Sequence, residues 1–193
     1  MKLAQQLENQ VFVSLTACFH GVAQWALGHE DAARSSLDRA LQLAEEVGDP
    51  RRIGYCHLCL GRLAASGGDI TAAVRSLRRA QHASRRGQDR VYEELATLTL
   101  LELLVAHGKR WRATRWLERR AHAARNSVSP RGALAAANLA SRVDPTWPHA
   151  LPGVLDRCER AARGGDVWDA FLALSELLKD PQLTDQGLSL IHI

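Results

Sequence analysis

The sequence lacks the features that identify membrane proteins and familiar enzymes. No apolar run approaches the ~20 residues that a membrane-spanning helix needs. There is no Gly-rich phosphate loop, no Gly-x-Ser-x-Gly and no His-Glu-x-x-His motif. No segment shows the apolar–polar alternation of a half-buried strand. We therefore expect an all-α protein that is not an enzyme and binds no cofactor.

Cysteine is also scarce, with four residues in a chain of 193 and no regular spacing between them. Such usage favours reduced thiols and a cytoplasmic location. The segment Cys56-His57-Leu58-Cys59 has the local spacing of a zinc site, but structural zinc usually takes ligands from two such pairs and the chain has one. We therefore expect no metal, and we predict that Cys56 and Cys59 pack in a core as small apolar residues.

One short motif resembles a targeting signal. Leu15-Thr16-Ala17-Cys18 has the form of a bacterial lipoprotein cleavage box. However, Glu8 lies where a basic leader is expected, and the apolar stretch from residue 11 to 17 is short for such a signal. The same residues fit the first helix of a repeat, which is the interpretation we favour.

The sequence does contain an internal repeat with a period of 40 residues. Each repeat has a glycine, an alanine five residues later and a leucine nine residues later. These are Gly28, Ala33, Leu37, Gly68, Ala73, Leu77, Gly108, Ala113 and Leu117. On both sides of each glycine, apolar residues recur at intervals of three and four, which is typical of a helix with one buried face. Glycine ends helices and aspartate caps them, so the segment 65–69 predicts a turn between two antiparallel helices. Such helix pairs bury their apolar faces by stacking.

This pattern resembles the tetratricopeptide (TPR) repeat in a lengthened form. The TPR motif has a glycine seven residues before the turn glycine, and Gly21 and Gly61 match it, whereas Leu101 stands there in the third repeat. The resemblance covers residues 10–126 and implies a right-handed α-solenoid of stacked antiparallel helix hairpins. A unit of 40 residues is longer than the usual 34, and is similar to the TPR-like arms of large bacterial LuxR-type and related signalling ATPases.

The two ends of the chain depart from this repeat. Asn9 occupies the connector position of Asp49 and Asp89, so residues 1–9 are predicted to be the truncated tail of a preceding helix. Residues 127–152 are predicted to be a Pro-containing insertion with a short helix at 133–143. Residues 153–187 resemble a degenerate fourth hairpin or cap. Residues 188–193 resemble the translation of a transposase sequencing adapter and are predicted to be an artefact, so we expect the chain to be a fragment.

In TPR proteins, the first helices of the repeats line a concave groove that binds a partner. The matching residues are Leu15, Cys18, Val22, Trp25, Tyr55, Leu58, Arg62, Leu95, Leu98 and Glu102. The Lys and Asn residues with which chaperone-binding members hold a terminal carboxylate are absent here. A mostly apolar groove suits an amphipathic helix or another repeat. The resemblance therefore implies a protein–protein interaction scaffold, part of the sensor or regulatory arm of a larger bacterial signalling or transcription regulator.

An alternative function comes from the basic and aromatic residues. Arg39, Arg79 and Arg119 recur every 40 residues, and Trp111 and Trp116 lie among arginines. Arginines could contact phosphates while tryptophans stack on bases, as in a free-standing nucleic-acid or small-ligand binding protein. A solvated arginine face and tryptophans used for packing explain the same residues, and we favour that interpretation over nucleic-acid binding.

Overall fold

The computed structural model describes residues 2–119, 129–143 and 163, and these residues form helices joined by short turns. The helices are α1 (Lys2–Ala26), α2 (Glu30–Val47), α3 (Pro50–Ser66), α4 (Ile70–Arg86), α5 (Arg90–Ala106), α6 (Arg110–Arg119) and α7 (Pro130–Val143). No strand occurs in this part of the chain, which confirms the predicted all-α class. The predicted fourth hairpin at 153–187 and the segment 188–193 lie outside the described residues, apart from residue 163.

The chain divides into two compact units, Met1–Leu103 and Leu104–Ile193. The first unit contains α1 to α4 and most of α5, and the second contains α6 and α7. None of the helices among the described residues combines the length and the apolar character needed to cross a bilayer.

The three predicted hairpin turns lie where the repeat places them. Gly28, Gly68 and Gly108 have φ angles of 82°, 81° and 77°, a left-handed conformation in which an L side chain is strained. After the second turn, the Asp69 carboxylate accepts a hydrogen bond from the backbone N–H of Ala72 at 2.9 Å and so caps α4. The predicted stop and restart at residues 65–69 are therefore confirmed.

The connectors between hairpins also use capping residues. Asp49 precedes Pro50 at the start of α3, and its carboxylate accepts from the backbone N–H groups of Arg51 and Arg52. The Asp89 carboxylate accepts from the backbone N–H of Tyr92 at 3.0 Å at the start of α5. The connector predicted at Asn9 is wrong, because α1 continues through that position. Residues 1–20 contain no glycine or proline that would end a helix there.

Within the first unit, α1 packs against α2, α3 packs against α4, and α2 packs against α3. Since each packed pair is joined by only a short turn, the two helices of a pair run antiparallel. Leu37 of α2 and Leu77 of α4 are fully buried, at the positions that the repeat predicts for shared core leucines. Each packs where the first helix of its hairpin has a glycine, Gly21 and Gly61 respectively.

The two hairpins solve a second close approach in different ways. In the first hairpin, Ser14 donates a hydrogen bond from Oγ to the carbonyl oxygen of Ala40 at 2.9 Å. Forty residues later Gly54 replaces this serine, and a Cβ built on Gly54 would collide with Oγ of Ser84. The position equivalent to Ser84 in the first hairpin is Ala44. Serine and a smaller residue have thus exchanged helices between the hairpins.

In the second unit, α6 packs against α7. Helix α7 begins at Pro130, three residues before the predicted start at Ala133. The prediction placed Ser129 and Pro130 in a turn, but together they start the helix. Oγ of Ser129 accepts from the backbone N–H of Gly132 at 3.1 Å, and proline is well suited to the first helical position.

Candidate functional site

The structure separates the predicted groove residues into buried and half-buried sets. Cys18, Leu58 and Leu98 are 2%, 4% and 0% exposed. These three side chains are packed inside the protein, so a partner cannot reach them as the groove prediction requires. Leu95 is also buried. The half-buried residues are Leu15, Val22, Trp25, Tyr55, Arg62 and Glu102.

Some of the half-buried residues meet across neighbouring helices. The Arg62 guanidinium lies over the Trp25 ring, with its carbon 5.6 Å from the ring centroid, in a cation–π contact between α3 and α1. Tyr55 stacks on Tyr92 of α5 at a centroid distance of 4.8 Å. On its other side, Tyr55 contacts the edge of Phe19 at 6.4 Å. The result is a row of aromatic rings across α1, α3 and α5, of which the sequence predicted only Tyr55.

The largest exposed apolar side chains of the first unit lie on α1 and directly after it. Phe12, Phe19 and Leu27 are 68%, 55% and 72% exposed. Exposed positions recur along α1 at spacings of three and four, so they form one continuous face. We call this the open α1 face and define it by Phe12, Thr16, Phe19, Ala23 and Leu27. Sequence reasoning missed it, although the seven-residue spacing of the two phenylalanines places both on one side of a helix.

The second hairpin shows what covers an equivalent face. Forty residues after Thr16, Phe19, His20 and Ala23 stand Cys56, Cys59, Leu60 and Leu63. The first four are exposed, whereas the second four are buried in one cluster with residues of α1 and α2. On α5, Ala96 and Leu103 are likewise buried against residues of α3 and α4. The preceding hairpin therefore covers this face on α3 and α5, and no described residue does so on α1.

The first unit also contains a basic cleft where α2 ends, α3 begins and the second half of α4 passes. Its volume is about 750 Å³. The side chains that determine its charge are Glu45, His57, Arg78, Arg79, His82 and Arg86. Arginines and histidines thus outnumber the single carboxylate. Sequence reasoning placed Arg79 in a regular row of arginines but did not bring it together with His57.

His57 is the most buried polar residue of this cleft, at 5% exposed. Its Nδ1 atom is sealed from solvent and has no hydrogen-bond partner. Burial, together with the nearby positive charge of Arg79, lowers the pKa of His57 to about 4. The side chain is therefore neutral at physiological pH, and the positive charge of the cleft comes from its arginines.

The predicted packing of the cysteines is confirmed. Cys56 and Cys59 are buried, and Sγ of Cys56 lies 3.9 Å from Sγ of Cys18. Hydrogen bonding with Cys56 and Cys59, followed by burial, raises the pKa of the Cys18 thiol well above its usual range. A protonated, buried thiol is a poor nucleophile. Among the residues that the structure describes, no group of three or more His, Cys, Asp or Glu side chains is arranged to hold a metal ion.

No protein-family profile, curated protein or solved structure matches this chain. The functional argument therefore depends on the open α1 face and the basic cleft.

Proposed function

We propose that this chain is a protein–protein interaction scaffold of TPR-like hairpins, stacked as a right-handed α-solenoid, in the sensor or regulatory arm of a larger bacterial signalling or transcription regulator. The observation that carries the interaction function is the open α1 face. Phe12, Phe19 and Leu27 expose apolar surface in a place where the chain's own later hairpins are covered. Contiguous exposed apolar surface is characteristic of protein interaction sites.

The partner that fits this face is an amphipathic helix resembling α2. In the second hairpin, the covering helix is α2, which buries Ala33, Leu37, Ala40 and Ala44 on one side. Small residues allow close approach of the helix backbones, while a leucine supplies apolar area. The bulky Phe12 and Phe19 of α1 need a helix of this kind, because a small side chain leaves room for an aromatic ring. Helix-in-groove recognition of this type uses apolar anchors at spacings of three and four.

A labelled peptide with the sequence of residues 29–47 tests this proposal directly. Because α2 covers the equivalent face of α3, we expect the peptide to bind the intact protein, with affinity measured by fluorescence anisotropy. Phe19→Glu places a charge at the centre of the open face and should weaken binding by about tenfold or more. Trp111→Glu is the matched control, since Trp111 is also a large, exposed aromatic residue (59%) but lies on α6.

Two results would contradict the interaction proposal. Equal binding of the peptide to the wild type and Phe19→Glu would show that the open α1 face is not the docking site. Equal weakening by Trp111→Glu would show a general effect of removing an exposed aromatic ring. A peptide with Ala40→Glu checks the other side of the contact, because Ala40 is fully buried in α2 and its substitution should abolish binding.

The regulatory-arm part of the proposal is tested separately by the genomic sequence on both sides of this chain. An ATPase, cyclase or kinase domain upstream, or a DNA-binding helix-turn-helix domain downstream, supports it. A gene that encodes neither would contradict it.

The alternative of nucleic-acid binding keeps some structural support. Arg39 and Arg79 are exposed, and the Arg112 guanidinium lies 5.2 Å from the ring centroid of exposed Trp111. This contact within α6 already uses the tryptophan face that a base would need. The double variant Arg39→Ala, Arg79→Ala separates the two functions. It should leave α2-peptide binding unchanged, whereas a nucleic-acid complex would weaken and lose part of its salt dependence.

A further inference from the structure

We propose that the basic cleft binds a small phosphate monoester dianion through Arg78, Arg79 and Arg86 of α4, with Nε2–H of His57 as an additional donor. A volume of about 750 Å³ lies within the range of small-molecule sites. This site shares no residue with the open α1 face, and the inference does not depend on the interaction function proposed above.

The arrangement of charge on α4 is the first argument. Arg78, His82 and Arg86 follow one another at intervals of four residues and therefore stand on one side of the helix. Like charges at this spacing destabilise a helix by a few tenths of a kcal/mol. A bound anion would reverse the sign of that interaction.

The neighbouring Arg85 shows that the chain can pair its arginines when an acid is placed for the purpose. Nε and Nη2 of Arg85 donate to the Glu93 carboxylate at 3.0 and 2.8 Å. In contrast, Arg78, Arg79 and Arg86 have no ion pair or hydrogen bond within the described residues. The guanidinium groups that line the cleft are thus the ones left available, and guanidinium binds phosphate through two parallel N–H donors.

His57 supplies the second, independent argument. It makes no hydrogen bond within the described part, and Nδ1 is the ring nitrogen that is sealed from solvent. A buried N–H without an acceptor is rarer in proteins than a buried acceptor without a donor. The favourable neutral tautomer therefore carries its proton on Nε2, the nitrogen that retains access to the cleft. That N–H is a donor without an acceptor, which an oxygen of the ligand would provide.

The cleft favours a small phosphorylated molecule over a nucleic-acid strand. The Glu45 carboxylate lies on the α2 wall and would repel successive phosphates, but it can accept a hydrogen bond from a hydroxyl group of a small ligand. The backbone N–H groups of Arg51 and Arg52 at the start of α3 already donate to Asp49. Affinity must therefore come from side chains, and three guanidinium groups suit a dianion better than a monocarboxylate.

Isothermal titration calorimetry with phenyl phosphate and inorganic phosphate tests this inference on the full chain. Phenyl phosphate should bind, and Arg79→Gln or Arg86→Gln should each weaken its binding by about tenfold or more, as expected for loss of a charged hydrogen bond. Arg75→Gln is the matched control, because Arg75 is exposed on the same helix but does not line the cleft. It should change the affinity by less than about twofold. All three substituted residues are exposed, and circular dichroism verifies that each variant folds.

Three results would overturn the proposal. Equal weakening by Arg75→Gln and Arg79→Gln would mean that the field of α4, rather than the cleft, attracts the anion. Binding of phosphatidic acid vesicles or of a single-stranded oligonucleotide, without binding of phenyl phosphate, would assign the arginines to a membrane or a nucleic acid. Unchanged ¹⁵N resonances of the His57 ring on saturation with phenyl phosphate would remove His57 from the site.

Discussion

Gly61 lies so close to Leu77 that a Cβ atom on the glycine would stand 2.8 Å from Cγ of the leucine. Gly21 and Leu37 have the same relationship in the first hairpin, again at 2.8 Å. The two pairs are separated by one repeat period, so the recurrence of glycine and leucine in the sequence reflects one packing requirement. The first helix of each hairpin presents bare backbone, and the leucine of the second helix fills the space beside it.

Gly61→Ala should therefore destabilise the protein by about 1–3 kcal/mol, as overpacking of a full core does. The same change in a Leu77→Ala background should cost nothing, because the shortened side chain no longer meets the new Cβ. Denaturant unfolding of the double-mutant cycle measures this coupling. Gly67→Ala is the control, since the closest atom to its Cβ would be 3.6 Å away and its φ of −78° suits alanine. Additive losses at positions 61 and 77 would contradict the contact.

Leu77→Ala should lower the free energy of unfolding more than Leu37→Ala, within the range of about 2–5 kcal/mol for buried leucine. Both leucines are fully buried. However, Leu77 lies in a cluster with residues of α3, α4 and α5, so hairpins on both sides depend on its position. The hairpin of Leu37 has a described neighbour on one side only. Urea unfolding of both variants provides the comparison, and a larger loss for Leu37→Ala would refute this ranking.

Asp49→Ala should cost about 1 kcal/mol or somewhat more, because it removes the cap of α3. The carboxylate also forms an ion pair with Nε of Arg52 at 2.8 Å, and Arg52 donates to the carbonyl oxygen of Val11 on α1. Asp49→Asn keeps an acceptor for the helix but loses the charge. It should therefore cost less than Asp49→Ala, by the ~0.2–1 kcal/mol range of a partly exposed ion pair. Equal losses in thermal unfolding would assign the effect to charge alone.

Stability should fall as the pH is lowered from about 7 towards 4, in part because of His57. Its pKa in the folded protein is lowered to about 4, whereas in the unfolded chain it stays near 6.5. The unfolded state thus binds the proton first, so this contribution is complete above pH 6.5 and is lost as the pH falls towards 4. At ~1.4 kcal/mol per pKa unit, the loss is at most about 3 kcal/mol. His57→Gln should flatten the pH dependence of urea midpoints, and an unchanged slope would show that His57 does not contribute.

The hairpins could be predicted from the sequence because their signals are local. Gly68 and Asp69 specify a turn and a cap by their own backbone and side-chain chemistry, whatever surrounds them. The start of α7 was missed, even though Ser129 and Pro130 are local signals of the same kind. The break at Asn9 was wrong for the opposite reason, since the position matched the repeat but lacked a residue that ends a helix.

The functional surfaces depend on neighbours that no local pattern contains. Leu58 was assigned to a groove by family resemblance, but it packs with Leu77 and Leu95, so a charge placed there would test folding rather than binding. The exposure of Phe19 depends on which helix covers α1. The basic cleft brings His57 of α3 beside Arg79 of α4, a contact that follows from helix packing alone.

The exchange of serine between the hairpins bears on how a chain of similar repeats avoids assembling incorrectly. Repeats with nearly identical helices could pair a first helix with the second helix of a neighbouring repeat. Here such an exchange would set Ser14 against Ser84, where even a bare Cβ collides, or leave Gly54 opposite Ala44 with an unfilled gap. Each first helix therefore discriminates its own partner from the other by the size of one side chain. A repeat protein needs this discrimination in order to fold in register while its turns and core leucines remain the same from one unit to the next.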